Sequence, residues 1–125
     1  MEWVDAKAKT LSFWKDLREA IDREDEVELL TEINAISDLC QTAHEEDPNS
    51  LDRCQHCLFY QQFGGCRETN AEMSLKVANH DWDGLRAIID DFMQHLRAMK
   101  VPPSSLELTI REFVASTTDT KRRRH

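Results

Sequence analysis

Residues that form tight turns are scarce in this sequence, which contains only three Gly and three Pro among its 125 residues. An all-β sandwich or barrel needs turn residues about every 8–12 positions, so this scarcity excludes that fold class. Long apolar runs are also missing, and no stretch approaches the ~20 residues that a membrane-spanning helix requires. The first residues, Met1 to Asp5, lack the basic and apolar regions of a secretory signal. We therefore expect a helical, cytoplasmic protein that does not enter a membrane.

Basic residues are scarce in the first part of the chain, where residues 1–50 hold 14 acidic and 5 basic side chains. Residues 51–125 hold 10 acidic and 11 basic side chains. Phosphate contacts need Lys and Arg in excess. We therefore do not expect nucleic-acid binding, except through the Lys121–Arg124 tail. The densest acidic run has two interpretations: acids favoured at a helix N-terminus by the helix dipole, or a docking surface for a basic protein partner. Its members are Asp22, Glu24, Asp25, Glu26 and Glu28.

Apolar residues recur at helical spacing in three long stretches of the chain. The first stretch covers residues 3–21, and the last, which Asp81 is expected to cap, covers residues 82–99. Between them, one continuous helix is predicted over residues 24–45, with Asp22 or Asp25 as its N-cap. The apolar stripe of this second helix places Cys40 on its buried face, and consists of Leu29, Ile33, Ile36, Cys40 and Ala43.

Pro and Gly mark the breaks in this helical pattern. Pro48 predicts a loop over residues 46–50. Gly64 and Gly65 interrupt the segment that begins at residue 51, and a helix is expected to resume over residues 66–78. Pro102 and Pro103 end the last long helix.

The end of the chain is expected to form a short helix followed by a tail. Ser104 and Glu107 have capping-box spacing, although residues 106–110 also alternate as a strand would. Residues 116–125 are expected to be a disordered basic tail, which leaves residues 1–115 as a single helical domain. Amphipathic helices with short connections predict an all-α fold, a small antiparallel four-helix-type bundle whose Gly-Gly break carries the cysteines.

The four cysteines are an unusual concentration of reactive side chains. They are Cys40, Cys54, Cys57 and Cys66, all within 27 residues. Two cysteines separated by two residues can reach one metal ion or cluster, because the intervening turn brings both sulfurs to one side. Cys66 follows two glycines, where the chain can turn sharply, and Cys40 would approach from the facing helix. We therefore predict that the four thiolates bind one metal ion or cluster.

Three other roles are open to these cysteines. A disulfide framework is typical of small secreted chains, and neither the N-terminus nor the size of this chain fits that class. A CxxC thiol oxidoreductase would be expected within a βαβ pattern, which the sequence does not show. Buried structural thiols are the simplest alternative, since Cys is among the residue types most often buried.

Iron–sulfur and zinc centres both accept four thiolates, and two features favour a [4Fe–4S] cluster. Four-cysteine zinc sites usually contain two CxxC pairs, whereas this chain contains one. The residues after Cys57 are largely apolar and would exclude solvent from a cluster; they include Leu58, Phe59, Tyr60 and Phe63. His44, one helical turn after Cys40, is the reserve ligand.

Two patterns in this segment resemble those of known families. Residues 54–67, with their CxxC pair and Gly-Gly-Cys, are similar to the cysteine segment of SPASM auxiliary-cluster domains, but lack the cysteine that there precedes the glycines. The order of one distant cysteine, a CxxC pair and a fourth cysteine resembles that of the WhiB-like iron–sulfur regulators. Those regulators also end in a basic tail, but they have a shorter last spacing and a Gly-Trp-Gly-Gly turn that is absent here. Both resemblances are local, and neither assigns the chain to a family.

The sequence contains no phosphate-binding loop, dinucleotide fingerprint or nucleophile elbow, so a binding protein is favoured over an enzyme. We expect an accessory or sensory protein whose fold or partner affinity depends on the bound cofactor. One alternative is a metal-free helical adaptor that docks through its acidic first half. Another is a CxxC thiol oxidoreductase with His44 or His56 as its base. A protein partner is expected, and self-association is left open.

Overall fold

The structure, a computed structural model, describes residues 1–123. It describes the side chains of these residues except those of Arg53 and of residues 116–123. Seven α-helices and two short 3₁₀ turns make up the described chain. No strand occurs within residues 1–123, and the helices pack on one another, so the predicted all-α bundle is confirmed. The 3₁₀ turns are Ile21–Arg23 and Arg53–His56. The helices are α1 (Trp3–Ala20), α2 (Glu26–Ile33), α3 (Asp38–Glu46), α4 (Leu58–Phe63), α5 (Cys66–Ala78), α6 (Trp82–Ala98) and α7 (Ser105–Arg123).

Helix α1 has contacts with helices from both the first and the second half of the chain. It packs against α3 and against α6, while α5 packs against α6 and α2. Helix α4 packs against the second 3₁₀ turn and α3. Small and apolar residues recur every three or four positions along α1, and this stripe turns towards the core. The residues that α1 buries are Trp3, Ala6, Thr10, Trp14, Leu17 and Ala20.

Helix α6 follows its sequence pattern closely. Asp81 caps it by accepting a hydrogen bond from the N–H of Gly84 at 3.0 Å. The helix ends at Ala98, before the two prolines. None of the described helices is long and apolar enough to cross a membrane. The face that α6 turns to the core buries Leu85, Ile89, Phe92, Met93 and Leu96.

The prediction of one continuous second helix is wrong, because the structure divides residues 24–45 between α2 and α3. Asp25 caps α2 by accepting from the N–H of Glu28 at 3.1 Å. Ser37 caps α3 by accepting from the N–H of Cys40 at 3.2 Å. This second cap starts a separate helix, so Ile36, which was expected to be buried, lies in the connection with 61% of its surface exposed.

A series of short elements joins α3 to α5 and carries three of the cysteines. After the predicted loop, Asp52 caps the 3₁₀ turn by accepting from the N–H of Cys54 at 3.1 Å. Helix α4 is six residues long and is followed by Gly64 and Gly65, whose φ angles are +64° and +66°. Residues with a Cβ rarely adopt such angles, so the glycines permit the turn that places Cys66 at the start of α5.

The C-terminal segment forms a helix and not a strand. Ser104 accepts from the N–H of Glu107 at 3.1 Å, and α7 then continues to Arg123, further than the short helix expected. Residues 105–115 are all exposed, and this part of α7 has no extensive contact with another described helix. Disorder of residues 116–125 and the single domain over 1–115 stay predictions. Arg124 and His125 lie outside the described residues.

Candidate metal centre

Four successive elements bring the cysteines to one region of the bundle. Cys40 lies in the first turn of α3, Cys54 in the second 3₁₀ turn, Cys57 directly before α4, and Cys66 at the first position of α5. A hydrogen bond of 3.1 Å from the N–H of Cys57 to the carbonyl oxygen of Cys54 closes the CxxC turn. All four side chains are free thiols.

Cys40, Cys57 and Cys66 line one small cavity, which we call the thiol cavity. Its volume is about 50 Å³. A single water molecule needs ~10–15 Å³, so the thiol cavity has room for more than one small atom or molecule. Three of the four predicted ligands therefore meet around one space. Much of the remaining wall is apolar, and it includes Trp14, Ile33, Leu39, Phe59 and Phe92.

A row of aromatic rings lies along one side of the thiol cavity. The ring centroids of Trp14 and Phe92 are 5.0 Å apart, and those of Phe92 and Phe59 are 4.9 Å apart. Phe63 extends the row, with its centroid 5.2 Å from that of Phe59. Trp14, Phe59 and Phe92 are buried, whereas Phe63 is 38% exposed, so the part of the row that lines the cavity is an apolar wall inside the bundle.

Cys54 is not part of the cavity wall and has a charged neighbour. A guanidinium nitrogen of Arg67 donates to the Sγ of Cys54 at 3.6 Å. The same guanidinium group lies 3.8 Å from the carboxylate of Asp52. The negative charge of a Cys54 thiolate, followed by the hydrogen bond to it, raises the pKa of Arg67. The fourth thiol is therefore accompanied by a permanent cation.

Burial raises the pKa of Cys66 to about 11 and also raises the pKa of Cys57. Repulsion between thiolates adds to both pKa shifts: Cys66 is affected by each of the other three cysteines, and Cys57 by Cys40 and Cys54. Backbone N–H groups at the start of α4 oppose the shift at Cys57. The four thiols are thus close enough to interact, and a cation among them would relieve the repulsion.

The structure places His44 and His56 outside the thiol cavity. His44 is exposed on α3 and does not line the cavity, and the Nε2 of His56 lies 3.6 Å from the Oδ2 of Asp47. Among the side chains that the structure describes, no group of three or more His, Cys, Asp or Glu is arranged to hold a metal ion. The cysteines therefore share a region without forming a complete coordination sphere.

Besides the cysteines, three polar residues of the cavity wall are absent from the sequence prediction: Ser37, which caps α3, Thr10 and Asn70. Thr10 in α1 is only 2% exposed, and Asn70 follows Cys66 by one turn of α5. The Oγ1 of Thr10 and the Oδ1 of Asn70 are buried, and neither has a hydrogen-bond partner in the described part of the chain. Helical spacing places Thr10 on the same face of α1 as Trp14 and Asn70 on the same face of α5 as Cys66, but it does not show that these two faces meet at one cavity.

Most of the acidic run over residues 22–28 is engaged within the bundle. Glu24 occupies a left-handed backbone position, with φ of +50°. The other four acids cap a helix or face a basic side chain, and this supports the interpretation that they stabilise the fold over that of a docking surface. Their contacts are the Asp25 cap and the pairs Asp22–Arg86, Glu26–His80 and Glu28–Arg23.

Comparison of the chain with protein-family models, with curated proteins and with solved structures finds no match in any of the three. Function has to be inferred from the residues and geometry of this chain.

Proposed function

We propose that this chain binds one [4Fe–4S] cluster through Cys40, Cys54, Cys57 and Cys66, and acts as an accessory or sensory protein whose affinity for a protein partner depends on that cluster. The observation that carries the proposal is the thiol cavity, where cysteines from three separate elements meet. Several soft ligands directed at one space are what a thiolate-bound centre needs. A bound cluster would supply a redox-active group and would link α3, the CxxC turn and α5.

The surroundings of the cysteines fit such a group. The rings of Trp14, Phe59 and Phe92 give the cavity a buried apolar wall, and exposure to solvent is one of the factors that set the potential of a cluster. Arg67 and the N–H groups at the start of α4 place positive charge near the sulfurs, which offsets their negative charge. Because the coordination sphere is incomplete, binding requires the thiol side chains to move, and the cavity gives them room to do so.

Two alternatives fit the site less well. One zinc ion needs four sulfurs about 2.3 Å from a single point, whereas a cluster takes ligands that are spread around a larger body. Cysteines placed around a cavity resemble the second arrangement. A thiol oxidoreductase needs an attacking thiol with a lowered pKa, and burial raises the pKa of both Cys57 and Cys66.

Metal analysis of protein purified without oxygen tests the proposal. We expect brown protein with about four iron atoms per chain, as one [4Fe–4S] cluster requires. Colourless protein with about one zinc ion per chain would contradict the cluster and keep the cysteine site. Protein that holds neither metal, and whose hydrogen exchange is the same with and without a chelator, would contradict both and favour the metal-free adaptor.

Substitution of Cys40 separates a ligand from a packing residue. Cys40 is partly buried, so its burial alone could account for its presence. If it is a ligand, Cys40→Ser and Cys40→Ala should both release the metal and reduce hydrogen-exchange protection more in residues 54–66 than in α1. His44→Ala, one turn further along the same helix and exposed, is the matched control and should keep the full metal content. Full metal content in both Cys40 variants would remove Cys40 from the site, and loss of metal in His44→Ala would then identify His44 as the ligand in its place.

A further inference from the structure

Two buried polar atoms in the wall of the thiol cavity have no partner within the described residues. They are the Oγ1 of Thr10 and the Oδ1 of Asn70. They come from α1 and α5, two helices that belong to different parts of the chain. No other buried side-chain nitrogen or oxygen in the described part of the chain lacks a partner. Both exceptions thus occur at the cavity that the cysteines line.

Thr42 shows what a buried threonine does elsewhere in this bundle. It is 2% exposed, as Thr10 is, and its Oγ1 donates to the carbonyl oxygen of Asp38, four residues earlier, at 2.8 Å. In α1 the corresponding carbonyl is that of Ala6, yet the Oγ1 of Thr10 remains without a partner. A buried polar group without a hydrogen bond destabilises a protein, so its presence in a cavity wall indicates a ligand-facing role.

We propose that Thr10 and Asn70 donate hydrogen bonds to the sulfur atoms of the centre that the four cysteines hold. The Thr10 hydroxyl has one proton to donate, and a half-turn of the Asn70 amide exchanges its oxygen for its NH₂ group. Sulfur atoms of metal centres accept such bonds, which strengthen retention of the metal and raise the reduction potential of a cluster. The inference rests on the proposed function, because the acceptor atoms belong to the bound centre or to its thiolates.

The test compares each variant with and without the metal centre. Thr10→Val and Asn70→Leu keep the approximate shape of the side chain and remove its polar atoms. In the metal-free protein, prepared with chelator and reductant, both should raise the melting temperature, because each removes an unpaired buried group. In the loaded protein, both should lose the metal to a chelator about 10-fold faster or more than the unsubstituted protein. A cluster should also be reduced at a lower potential in both variants.

Thr42→Val is the matched control, because it removes the same hydroxyl from an equally buried site that already has its partner. It should lower the melting temperature in both states and leave metal retention and potential unchanged. The inference is overturned if the loaded Thr10 and Asn70 variants keep the metal as firmly as the unsubstituted protein, or if they lower the melting temperature of the metal-free form. Unsubstituted protein that holds no metal would instead overturn the proposed function itself, and the inference with it.

Discussion

Cys66 makes the stability of the metal-free protein depend on pH. Burial raises the pKa of its thiol from 9.0 to about 11. The unfolded chain therefore loses this proton at lower pH than the folded protein, so the stabilisation by the neutral thiol is complete below about pH 9 and is lost as the pH rises to about 11. We expect the free energy of unfolding to fall by about 1–2 kcal/mol over this interval, less than two full pKa units would give, because solvent still reaches the thiol.

Denaturant unfolding of the metal-free protein at both ends of this pH interval measures the effect. The Cys66→Ala variant is the control, because it keeps every other group that titrates there. Its loss of stability should be smaller by the amount assigned to the thiol. An equal loss in both proteins would show that Cys66 does not couple folding to pH.

Glu24 holds a backbone conformation that suits glycine. Its φ and ψ angles are +50° and +33°, in the left-handed region, where the Cβ of an L-residue is crowded. Glycine relieves this strain but gains freedom in the unfolded chain, so we expect Glu24→Gly to raise the free energy of unfolding by only about 0.5 kcal/mol. Glu19→Gly, at an exposed helical position of α1, should have the opposite effect and lower the free energy of unfolding by about 1 kcal/mol. Chemical denaturation of both variants would show whether the signs differ.

At the scale of elements, helix boundaries with a capping side chain were predictable. Asp81 and Ser104 lie directly before their helices, and both side chains accept the expected backbone N–H. The division between α2 and α3 was missed because Ile36 continues the apolar spacing across the break and conceals the cap at Ser37. Helical spacing describes one helix axis, so it does not reveal where a second axis begins.

The same limit explains what the sequence indicated of the candidate site. The four cysteines could be selected from their number and spacing alone. Thr10 and Asn70 could not, because their common feature is a cavity between helices that are far apart in sequence. Local patterns assign residues to the face of one helix, and only packing decides which faces meet.

Ser37 stabilises the helix that carries Cys40. Its Oγ accepts from the N–H of Cys40 at 3.2 Å. We expect Ser37→Ala to lower the free energy of unfolding by about 1 kcal/mol, the usual effect of losing an N-cap. Ser12→Ala, at an exposed interior position of α1, should leave stability unchanged or slightly raised, because Ala favours a helix interior. Equal denaturation midpoints for the two variants would contradict the role of the cap.

At the scale of the whole molecule, residues 105–115 of α7 bury much less apolar surface than the other long helices do. Residues 105–115 are exposed, and they include Leu106 at 71% and Ile110 at 54%. We expect a chain that ends at residue 104 to unfold with a free energy within about 1 kcal/mol of that of the full chain, because little apolar surface is lost from the core. Leu96→Ala, at a fully buried position of α6, is the positive control. It should lower the free energy of unfolding by about 2–5 kcal/mol, so it shows that the measurement detects a loss of core packing. A loss of that size on truncation would mean that α7 stabilises the bundle.

The position of Trp14 gives the thiol cavity its own optical reporter. Trp14 lines the cavity, whereas the indole of Trp3 donates to Glu46 and that of Trp82 stacks on His80. An iron–sulfur cluster absorbs in the range where indole emits and takes up its excitation energy at short distance, whereas zinc does not absorb there. Loading with iron and sulfide should therefore quench much of the fluorescence, and loading with zinc should leave it largely unchanged. In the Trp14→Phe variant the iron-dependent quenching should be weaker, so the difference in emission between the two proteins would report the indole at the cavity during assembly.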